Sequence, residues 1–483
     1  MFSLFLILTT ASGQIIQAQT AEKWNIIRCV DHALKNNISV RQTDLQSRFS
    51  ELTYKQNKAS RLPSLNFSGS TGYRLGRSEN PTTGVLEDNN FLNAGMQLQS
   101  GVTLFNWFNK KNTIESSRLS WEADKLQTQK TKDDIALNVA VAYLQILLAT
   151  EQAGLARVQV NQTADQLKAT RLRVDAGALP ELNAAELEAQ LARDSSSLVS
   201  AEASIQQFVL QMKALLNLDA GTPFEVETPP VDRIPVEALA DLQPEAVYAM
   251  AIKALPQQKV NELRIQSAQK SISAAKAGLY PSITAFGSLS TNAIYFKRAI
   301  YDQVLLGYNA SGARANAGGG VFYPVEIPDF TSGNNVVSYF KPDSWGKQFN
   351  NNFGQSIGIG ISVPILNGRS ARTAWDRSKL NLQQNELQKE QDDMQLKQDV
   401  YKAYTDAVAA LQKFNADKKS VQTAEKAYDF AKKRYDVNLL STYDLINSQN
   451  NVASAKIQAL YSQYDYVFKM KLLEFYRGQG LKL

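Results

Sequence analysis

Four short stretches of the chain alternate between apolar residues and polar or tiny ones. Between 355 and 366, every second position from 357 to 363 is isoleucine or valine, and the positions between them are glycine or serine. This period of two is typical of a β-strand with one apolar face. The same pattern predicts strands near 64–73, 94–105 and 282–291. The apolar faces of the four strands comprise Leu65, Phe67, Met96, Leu98, Ile283, Leu289, Ile357, Ile359 and Ile361.

A helical period follows the second and the fourth strand and continues for about seventy residues without a strong breaker. Leu380, Leu387 and Met394 recur at intervals of seven, as in a coiled-coil seam. A helix of this length is on the order of 100 Å long, so it must pack beside other helices rather than inside one compact domain. Helices are predicted near 22–61, 107–176, 181–215, 243–278, 368–437 and 442–475.

Self-comparison shows that the chain contains two copies of one unit. The segment KASRLPSLNFSGS at 58–70 matches KAGLYPSITAFGS at 276–288, with an offset of 218 positions. The segment GVTLFNWFNKKNTIESSRL at 101–119 lies over SVPILNGRSARTAWDRSKL at 362–380, with an offset of 261 positions. Because the offset grows by 43 between the two matches, the second copy carries 43 additional residues between its strands.

These features predict the organisation of the whole chain. Residues 1–19 begin with an apolar run of signal-peptide length, which predicts a cleaved export signal. The first repeat covers 20–215, a proline-containing linker covers 216–242, and the second repeat covers 243–483. Within the second repeat, the segment 292–353 is rich in glycine, asparagine and serine, and we predict a long loop there.

Composition excludes several classes of function. The chain has 52 Lys and Arg against 46 Asp and Glu, without the basic block that a nucleic-acid-binding face requires. Cys29 and His32 are the single cysteine and the single histidine, which leaves almost nothing for a zinc site or a histidine-dependent catalytic centre. We therefore predict no enzyme activity, no metal and no cofactor.

The strands decide between two architectures that the helices leave open, a soluble coiled-coil scaffold and a membrane protein. A half-buried soluble sheet would show the same alternation, but the export signal and the matched strand lengths favour a transmembrane β-barrel. Four strands cannot close, since the smallest such barrels have about eight, and lipid does not tolerate an open edge. The sequence thus predicts an α+β membrane protein whose barrel is shared among two, three or four chains.

Nearly all of the mature chain resembles the TolC-like outer-membrane efflux proteins, also called outer membrane factors. The resemblance rests on CVDHALKNN, on the helix-to-strand junctions ASRLPSL and AGLYPSI, and on the strand-to-helix junctions VTLFNWFNKK and VPILNGRSAR. The hairpin tips RVDAGALPELNAAELE and RYDVNLLSTYDLINSQ also carry it. The resemblance implies a homotrimer, with a shared outer-membrane β-barrel of four strands per chain continuing into a long periplasmic α-helical barrel.

The same resemblance implies a function and its partners. The protein would be a passive exit duct in a tripartite efflux or type I secretion system. It would dock to a periplasmic adaptor, or membrane fusion, protein and to an inner-membrane pump or ABC transporter. The alternative is an exported periplasmic coiled-coil structural protein without channel activity.

The resemblance also implies a periplasmic gate at the two hairpin tips. Tyr435 and Asp444 match the tyrosine and acidic positions of the family, and Asn447 stands where a second acidic residue is often found. The first tip offers Asn183 and Glu186. We expect neutral hydrogen bonds from Tyr435 to the asparagines in place of a salt bridge. Asp444 has two open roles, as part of an acidic ring formed by several copies or as a cap of its own helix.

Overall fold

The computed structural model describes residues 23–79, 86–88, 90–228, 239–296, 298–437 and 439–478. Its helices are α1 (Ile26–Asn36), α2 (Ile38–Ala59), α3 (Asn109–Asp175), α4 (Glu181–Leu216), α5 (Pro244–Ala254), α6 (Pro256–Ala277), α7 (Trp345–Asn351), α8 (Ser370–Asp436) and α9 (Thr442–Tyr476). Its strands are β1 (Ser64–Arg74), β2 (Arg77–Glu79), β3 (Leu86–Asp88), β4 (Phe91–Phe105), β5 (Ser282–Phe296), β6 (Arg298–Asn316), β7 (Phe322–Phe340) and β8 (Gly354–Ser362). The predicted export signal over 1–19 lies outside the described residues.

The chain divides into a helical unit and a β unit, each assembled from separate stretches of sequence. The helical unit comprises Met1–Lys55, Ile114–Ile272 and Asp376–Leu483. The β unit comprises Gln56–Thr113 and Ser273–Trp375. Each unit takes residues from both halves of the chain, so the compact units cut across the two predicted repeats instead of coinciding with them.

The helices of the two halves begin at positions that differ by constant amounts. Helices α1 and α2 begin at residues 26 and 38, and α5 and α6 begin 218 positions later, at 244 and 256. Helices α3 and α4 begin at residues 109 and 181, and α8 and α9 begin 261 positions later, at 370 and 442. These are the two offsets that the sequence comparison gave, and α3 and α8 have the same length of 67 residues.

Two of the predicted helices are each broken in the middle. The helix expected near 22–61 breaks at Asn37, whose side-chain oxygen accepts a hydrogen bond from the backbone N–H of Ser39 at 2.9 Å. The amide nitrogen of Asn37 donates to the carbonyl oxygen of Leu215 at 2.8 Å. The helix expected near 243–278 breaks one residue before Pro256, which has no N–H to continue the preceding helix and suits the first turn of the next one.

The largest hydrophobic core of the helical unit forms where α1 packs against α3, α4 and α9. Cys29 is fully buried there together with Tyr143 and Met212. Burial raises the pKa of the Cys29 thiol to about 12, so this cysteine stays neutral at physiological pH. The ring of Trp24 contacts the imidazole of His32 edge-on, with ring centroids 5.1 Å apart. Both the single cysteine and the single histidine therefore have packing roles.

Helix α3 is also apolar enough by composition to cross a membrane. Its most apolar 18-residue window has a mean hydropathy of 1.3, and half of that window is buried inside the chain. Most of the buried residues of α3 between 135 and 149, among them Val139, Tyr143 and Leu147, belong to the core just described. We therefore attribute the hydropathy of α3 to packing between helices.

The β unit is built on an antiparallel sheet with the strand order β1–β4–β5–β8. Strands β1 and β4 pair in register, with Leu65 opposite Ser100 and Phe67 opposite Leu98. Strand β5 joins the two halves of the chain by pairing with β4 on one side and β8 on the other. Strands β1 and β8 are the two outer strands of this sheet. The four predicted strands are all present, and β8 ends at Ser362, four residues earlier than predicted.

The predicted loop over 292–353 is mostly regular structure, so that part of the sequence interpretation was wrong. Strand β5 extends to Phe296, and β6 and β7, of 19 residues each, form an antiparallel hairpin. The hairpin turns through Gly318, Gly319 and Gly320, whose φ angles of 90°, 63° and 83° are unfavourable for other residues. The high glycine and asparagine content concealed two long strands that pair only with each other.

Candidate functional site

One face of the four-stranded sheet collects the apolar residues of every strand. Because cross-strand partners point to the same side, the register places Phe67, Leu98 and Leu289 on one face. The pairing of β5 with β8 adds Ile283 opposite Ile361 to that face. All nine residues predicted to be lipid-facing lie on it: Leu65, Phe67, Met96, Leu98, Ile283, Leu289, Ile357, Ile359 and Ile361. Ile357, at 93% exposed, is the least covered of them.

The opposite face of the sheet is mostly polar, and in the middle of the paired strands it carries no charged side chain. The hydroxyls of Ser288 and Ser356 lie 2.8 Å apart on neighbouring strands. Apolar residues on this face are Phe91, Phe286, Ile294 and Phe296, and the ring of Phe286 covers Gly358 so closely that a Cβ there would lie 2.6 Å from it. The polar residues of this face include Ser64, Asn66, Ser68, Ser70, Gln97, Gln99, Thr103, Ser282, Thr284, Ser288, Ser290, Ser356 and Ser362.

Aromatic side chains lie at both ends of the apolar face. At the helix end, the ring of Trp107 lies 4.8 Å from that of Tyr280 and 5.5 Å from that of Phe105. At the other end, Tyr73 pairs with Leu92, which in turn lies opposite Tyr295. Belts of aromatic residues on either side of an apolar band are typical of membrane β-barrels, where amphipathic rings sit at the two interfaces.

The strand-to-helix junctions have an unusual backbone conformation in both halves of the chain. Trp107 and Phe108 have φ angles of 51° and 61°, and the corresponding Gly368 and Arg369 have 58° and 62°. Two consecutive left-handed residues cost free energy for any residue other than glycine. In the first half, the aromatic contacts of Trp107 and Phe108 with Phe105 offset part of this cost.

The second hairpin tip begins α9 with a reciprocal cap between two side chains. The backbone N–H of Asp444 donates to the Ser441 hydroxyl oxygen at 3.1 Å, and that hydroxyl donates to the Asp444 carboxylate at 2.7 Å. This arrangement satisfies an N–H that the start of a helix leaves without an intrahelical partner. Asp444 remains exposed to solvent. The single chain therefore contains the helix cap, and the acidic ring, which needs several copies, stays a prediction.

Tyr435 connects the two helical hairpins, as the sequence analysis expected, but through different partners. Its hydroxyl lies 3.2 Å from the Thr170 hydroxyl of α3 and 3.5 Å from the Thr442 hydroxyl of α9. Neither Asn183 nor Asn447 is its partner, so the expectation of asparagine partners was wrong. Further from the tip along the hairpins, the side-chain amide of Gln166 on α3 donates to the hydroxyl of Tyr428 at 2.9 Å.

A third and fully buried polar contact joins the hairpins further from the tip. The Thr163 hydroxyl donates to the Asp194 carboxylate at 2.7 Å and accepts a hydrogen bond from the Gln449 amide at 3.2 Å. Gln190 contacts both the Asp194 carboxylate, at 2.8 Å, and the Asn450 side-chain oxygen, at 3.0 Å. We name the three levels headed by Tyr435, Tyr428 and Thr163 the inter-hairpin ladder.

The other predicted tip residues lie near the ladder without joining it. Asn183 and Glu186 are partly exposed on the first turns of α4, and Asn447 is exposed on α9. The first tip instead has a charge pair that the sequence analysis missed, in which Arg171 of α3 contacts Glu181 at 2.5 Å and also contacts Glu188. Their spacing of 10 and 17 positions could be recognised only once the hairpin turn had been placed.

The inter-hairpin ladder consists of hydroxyl and amide side chains together with the Asp194 carboxylate. Within the ranges described above, no group of three or more His, Cys, Asp or Glu side chains is positioned to hold a metal ion. The hydrogen bonds of the ladder hold the helices of the two hairpins together.

An antiparallel sheet with one apolar face and aromatic ends, together with two long helical hairpins, is typical of the tunnel-type class of outer-membrane channel proteins. The chain belongs to the outer membrane efflux protein family, whose model matches residues 29–218 and 333–475. The resemblance found in the sequence is thereby confirmed. The outer membrane is the location of this family, and transport out of the cell is its role.

Individual relatives agree with this assignment. The chain is 22% identical over 315 residues to the "Probable outer membrane lipoprotein SilC" of Salmonella typhimurium, covering 65% of this chain and 63% of SilC, which is less than two thirds of that relative's length. The fold is similar to that of CusC, with a TM-score of 0.74, 17% identity and coverage of 94% of this chain and 92% of CusC. It is also similar to that of the outer membrane protein VceC of Vibrio cholerae, with a TM-score of 0.71, 15% identity and coverage of 95% and 97%.

The cap at the second tip leads to a prediction for Asp444. Replacing Asp444 with alanine should lower the local stability of the first turn of α9 by about 0.5–1 kcal/mol, because the reciprocal contact with Ser441 is lost. Amide hydrogen exchange of residues 442–447 would then become several-fold faster, while the cation selectivity of the channel stays unchanged. Asn447→Ala, three residues along the same helix, is the control. A change of selectivity with normal exchange would establish the acidic ring instead.

Proposed function

We propose that three copies of the chain form a shared twelve-stranded outer-membrane barrel and a periplasmic tunnel of twelve helices. The assembly is a passive exit duct in a tripartite efflux or type I secretion system. An inner-membrane pump or ABC transporter, connected through a periplasmic adaptor protein, supplies the cargo and the energy. The chain itself performs no chemistry.

The observation that carries the proposal is the exposed apolar face of the sheet, together with its two outer strands, each of which is paired on one side only. Ile357, Ile359 and Ile361 on β8 are 68–93% exposed in the isolated chain. Water would make such a face costly, since apolar surface contributes about 25 cal/mol for each Å² removed from water. Lipid covers the face, and neighbouring copies cover the strand edges. A periplasmic coiled-coil scaffold has no use for either feature.

The polar face of the sheet, which we assign to the lumen, fits a duct of low selectivity. Its serine, threonine, asparagine and glutamine side chains offer hydrogen bonds to a passing solute without attracting one sign of charge. Barrel interiors with an aqueous channel are polar in the same way. Selection of cargo would then belong to the pump, and control of flow to the hairpin tips.

Opposite substitutions on the two faces test the placement of the sheet in lipid. Ile359→Arg should destabilise the assembled barrel by about 2–4 kcal/mol, because a charge near the bilayer midplane must leave water. Gly360→Ser, on the neighbouring position of the polar face, should cost far less, since a Cβ there meets the Thr284 hydroxyl oxygen at 3.2 Å and the edge of the Phe286 ring at 3.9 Å. The yield of heat-modifiable oligomer from outer membranes, and its urea midpoint in lipid vesicles, measure both effects. Equal tolerance of the two changes would place the sheet outside lipid.

Single-channel recording tests whether the hairpin tips close the duct. Tyr435→Phe removes the hydroxyl that reaches Thr170 and Thr442 and should raise the resting conductance in planar bilayers. Tyr443→Phe removes a hydroxyl from an exposed ring on the same tip and should leave the conductance at the wild-type value. If the protein forms no channel in bilayers, the proposed function is wrong. If both variants conduct alike, the ladder is not the gate.

Surface labelling tests the orientation of the long hairpin. We place β6 and β7 on the outside of the cell, because the long connections of outer-membrane barrels face outward. A membrane-impermeant maleimide should label Ala317→Cys, at the hairpin turn, on intact cells, whereas Ala178→Cys, at the first helical tip, should react only after the outer membrane is opened. The native Cys29 stays unlabelled because it is buried and its thiol is neutral. The reverse labelling pattern would invert the orientation.

A further inference from the structure

A cavity of about 570 Å³ lies in the helical unit, where the C-terminal end of α9 meets the break between α5 and α6. Helices α3 and α8 form its sides. This volume is within the range of sites for small organic ligands. The apolar part of the cavity wall consists of Leu137, Leu255, Pro256, Leu396, Phe475 and Tyr476.

The first half of the chain has the equivalent junction of helix ends, but there the junction is closed. Val40 and Ile135 are buried in the largest core, at 4% and 8% exposed. The amide of Asn37 also connects the break between α1 and α2 to the Leu215 carbonyl oxygen at the end of α4. Leu255 stands in the position of Asn37 and has no group to form that hydrogen bond. The cavity is therefore a departure of the second half from the repeat.

Two residues that line the cavity differ in chemistry from their equivalents in the first half. By the offsets of 218 and 261 positions, Gln258 corresponds to Val40 and Asp399 corresponds to Asn138. A glutamine in place of a buried valine costs free energy unless its amide finds a partner. The second half thus carries an amide and a charge where the first half has an apolar and a neutral residue.

The side-chain amide of Gln258 is the observation that points to a ligand. The residue is 8% exposed and lines the cavity. Among the residues that the structure describes, none forms a hydrogen bond with this amide. Buried amides are seldom left in that state. Its carbonyl oxygen and its two N–H groups are therefore available to a molecule inside the cavity.

Negative charge is in excess around the cavity, which is lined by four carboxylates and two basic side chains. The Lys130 ammonium contacts the Asp134 carboxylate at 2.7 Å. The Arg264 guanidinium lies 4.0 Å from the Asp124 carboxylate, which is outside the cavity. Both cations thus have partners, and in the described part of the chain neither forms an ion pair with the remaining carboxylates of the lining.

Two of these remaining carboxylates have oxygens to spare. Asp133 accepts one hydrogen bond from Gln129, and Asp399 accepts one from Gln395, each at 2.8 Å. Neither carboxylate is in an ion pair with any residue of the ranges described above. Asp392, in contrast, accepts three hydrogen bonds from amide side chains. Burial raises the pKa of the Asp133 carboxyl, as expected for a charge with reduced access to water.

The aromatic part of the wall lies beside the carboxylates. Burial raises the pKa of the Tyr476 phenol to about 12, and the nearby charges of Asp399 and Asp134 add to this rise. The phenol is therefore neutral at physiological pH. The face of an aromatic ring attracts a cation through its quadrupole, most strongly where water is excluded. Ring and carboxylates thus favour the same sign of charge in a ligand.

We propose that this cavity binds an organic cation that has a single ammonium group on an apolar, ring-containing body. The ammonium donates hydrogen bonds to the Asp133 or Asp399 carboxylate and to the Gln258 carbonyl oxygen. The body of the ligand lies against the leucines and the two aromatic rings. A metal ion is not the occupant, since no group of three or more acidic, His or Cys side chains in the described ranges is positioned to hold one. The site lies within one chain, so this inference goes beyond the proposed duct and does not depend on the number of copies.

Isothermal titration calorimetry of the full-length oligomer in detergent tests the site with probes of matched shape. Phenethylamine carries the ammonium group, phenethyl alcohol has a hydroxyl in its place, and phenylpropionate has a carboxylate. We expect phenethylamine to bind and phenethyl alcohol to bind at least about tenfold more weakly, because it lacks the charge-assisted contacts. Phenylpropionate should give no heat of binding. Equal affinities of phenethylamine and phenethyl alcohol would overturn the proposal.

The apolar body of the ligand is tested with putrescine, an aliphatic diamine without a ring. Putrescine leaves the leucine and aromatic wall uncovered, so it should bind about tenfold more weakly than phenethylamine. An affinity equal to that of phenethylamine would show that charge alone attracts these amines, and the proposed site for a ring-containing cation would be wrong.

Two variants locate the binding by restoring the residue that the first half has at the equivalent position. Asp399→Asn should weaken phenethylamine binding about tenfold, because the ammonium loses a charged acceptor. Gln258→Val should weaken it by about threefold to tenfold, which corresponds to one lost hydrogen bond. Both variants should give the oligomer in normal yield, since the first half packs with these residues.

The matched control is Asp429→Asn, which removes one exposed negative charge farther along α8. It should bind phenethylamine like the unsubstituted protein. If Asp399→Asn and Gln258→Val also bind phenethylamine with unchanged affinity, the heat comes from the detergent or from another surface, and the site is disproved. Normal channel conductance in a protein that does not bind phenethylamine would overturn this site and leave the proposed function intact.

Discussion

The need to hydrogen-bond the backbone groups of the two outer strands of the sheet constrains the whole molecule. Strands β1 and β8 each leave one row of backbone N–H and C=O groups without a neighbouring strand in the part of the chain that the structure describes. In hydrocarbon each unsatisfied group costs several kcal/mol, so an open sheet cannot reside in a membrane. Four strands are too few to close. In the assembly that we propose, other copies of the chain complete the sheet, and folding is then coupled to assembly.

An internal repeat meets this requirement with one type of unit and one type of junction. A unit whose second strand pairs with the first strand of the next unit can be joined indefinitely until the ring closes. Inside the chain, β4 and β5 form such a junction. The helices follow the same rule, because α3 packs on α6 across the same boundary of the repeat. In the assembly that we propose, one type of contact serves both within chains and between them.

The hydrophobic periodicity of the sequence was sufficient to predict the elements that depend mainly on residues near each other in the chain. The long helices and the four sheet strands were predicted within a few residues, because each has an uninterrupted pattern of one period. The break at Asn37 was missed because it depends on the carbonyl oxygen of Leu215, 178 positions away. The hairpin of β6 and β7 was missed because its glycines and asparagines imitate a loop. For Asn37 the deciding partner was outside the window that a local pattern covers, whereas for the hairpin the composition concealed the strands.

In the candidate gate, too, local sequence patterns do not reveal the distant partners that hold the tips together. Tyr435 was identified from its position in the motif, yet its partner Thr170 lies 265 positions away on another helix. A neutral hydrogen bond contributes about 0.5–1.5 kcal/mol, so the three levels of the inter-hairpin ladder amount to a few kcal/mol in each chain.

The levels of the inter-hairpin ladder differ in burial, and this difference determines the order in which they separate when the hairpins move apart. The Tyr435 level is partly exposed, so water replaces its hydrogen bonds when it opens. The Thr163 level is buried, and parting it would break the hydrogen bonds from the Gln449 amide to Thr163 and from Gln190 to Asn450, which leaves buried polar groups without partners. Separation is therefore least costly when it starts at the tip and stops before Thr163. A partner protein that opens the duct must bind the parted tips more tightly than the closed ones, by at least the free energy of the levels it breaks.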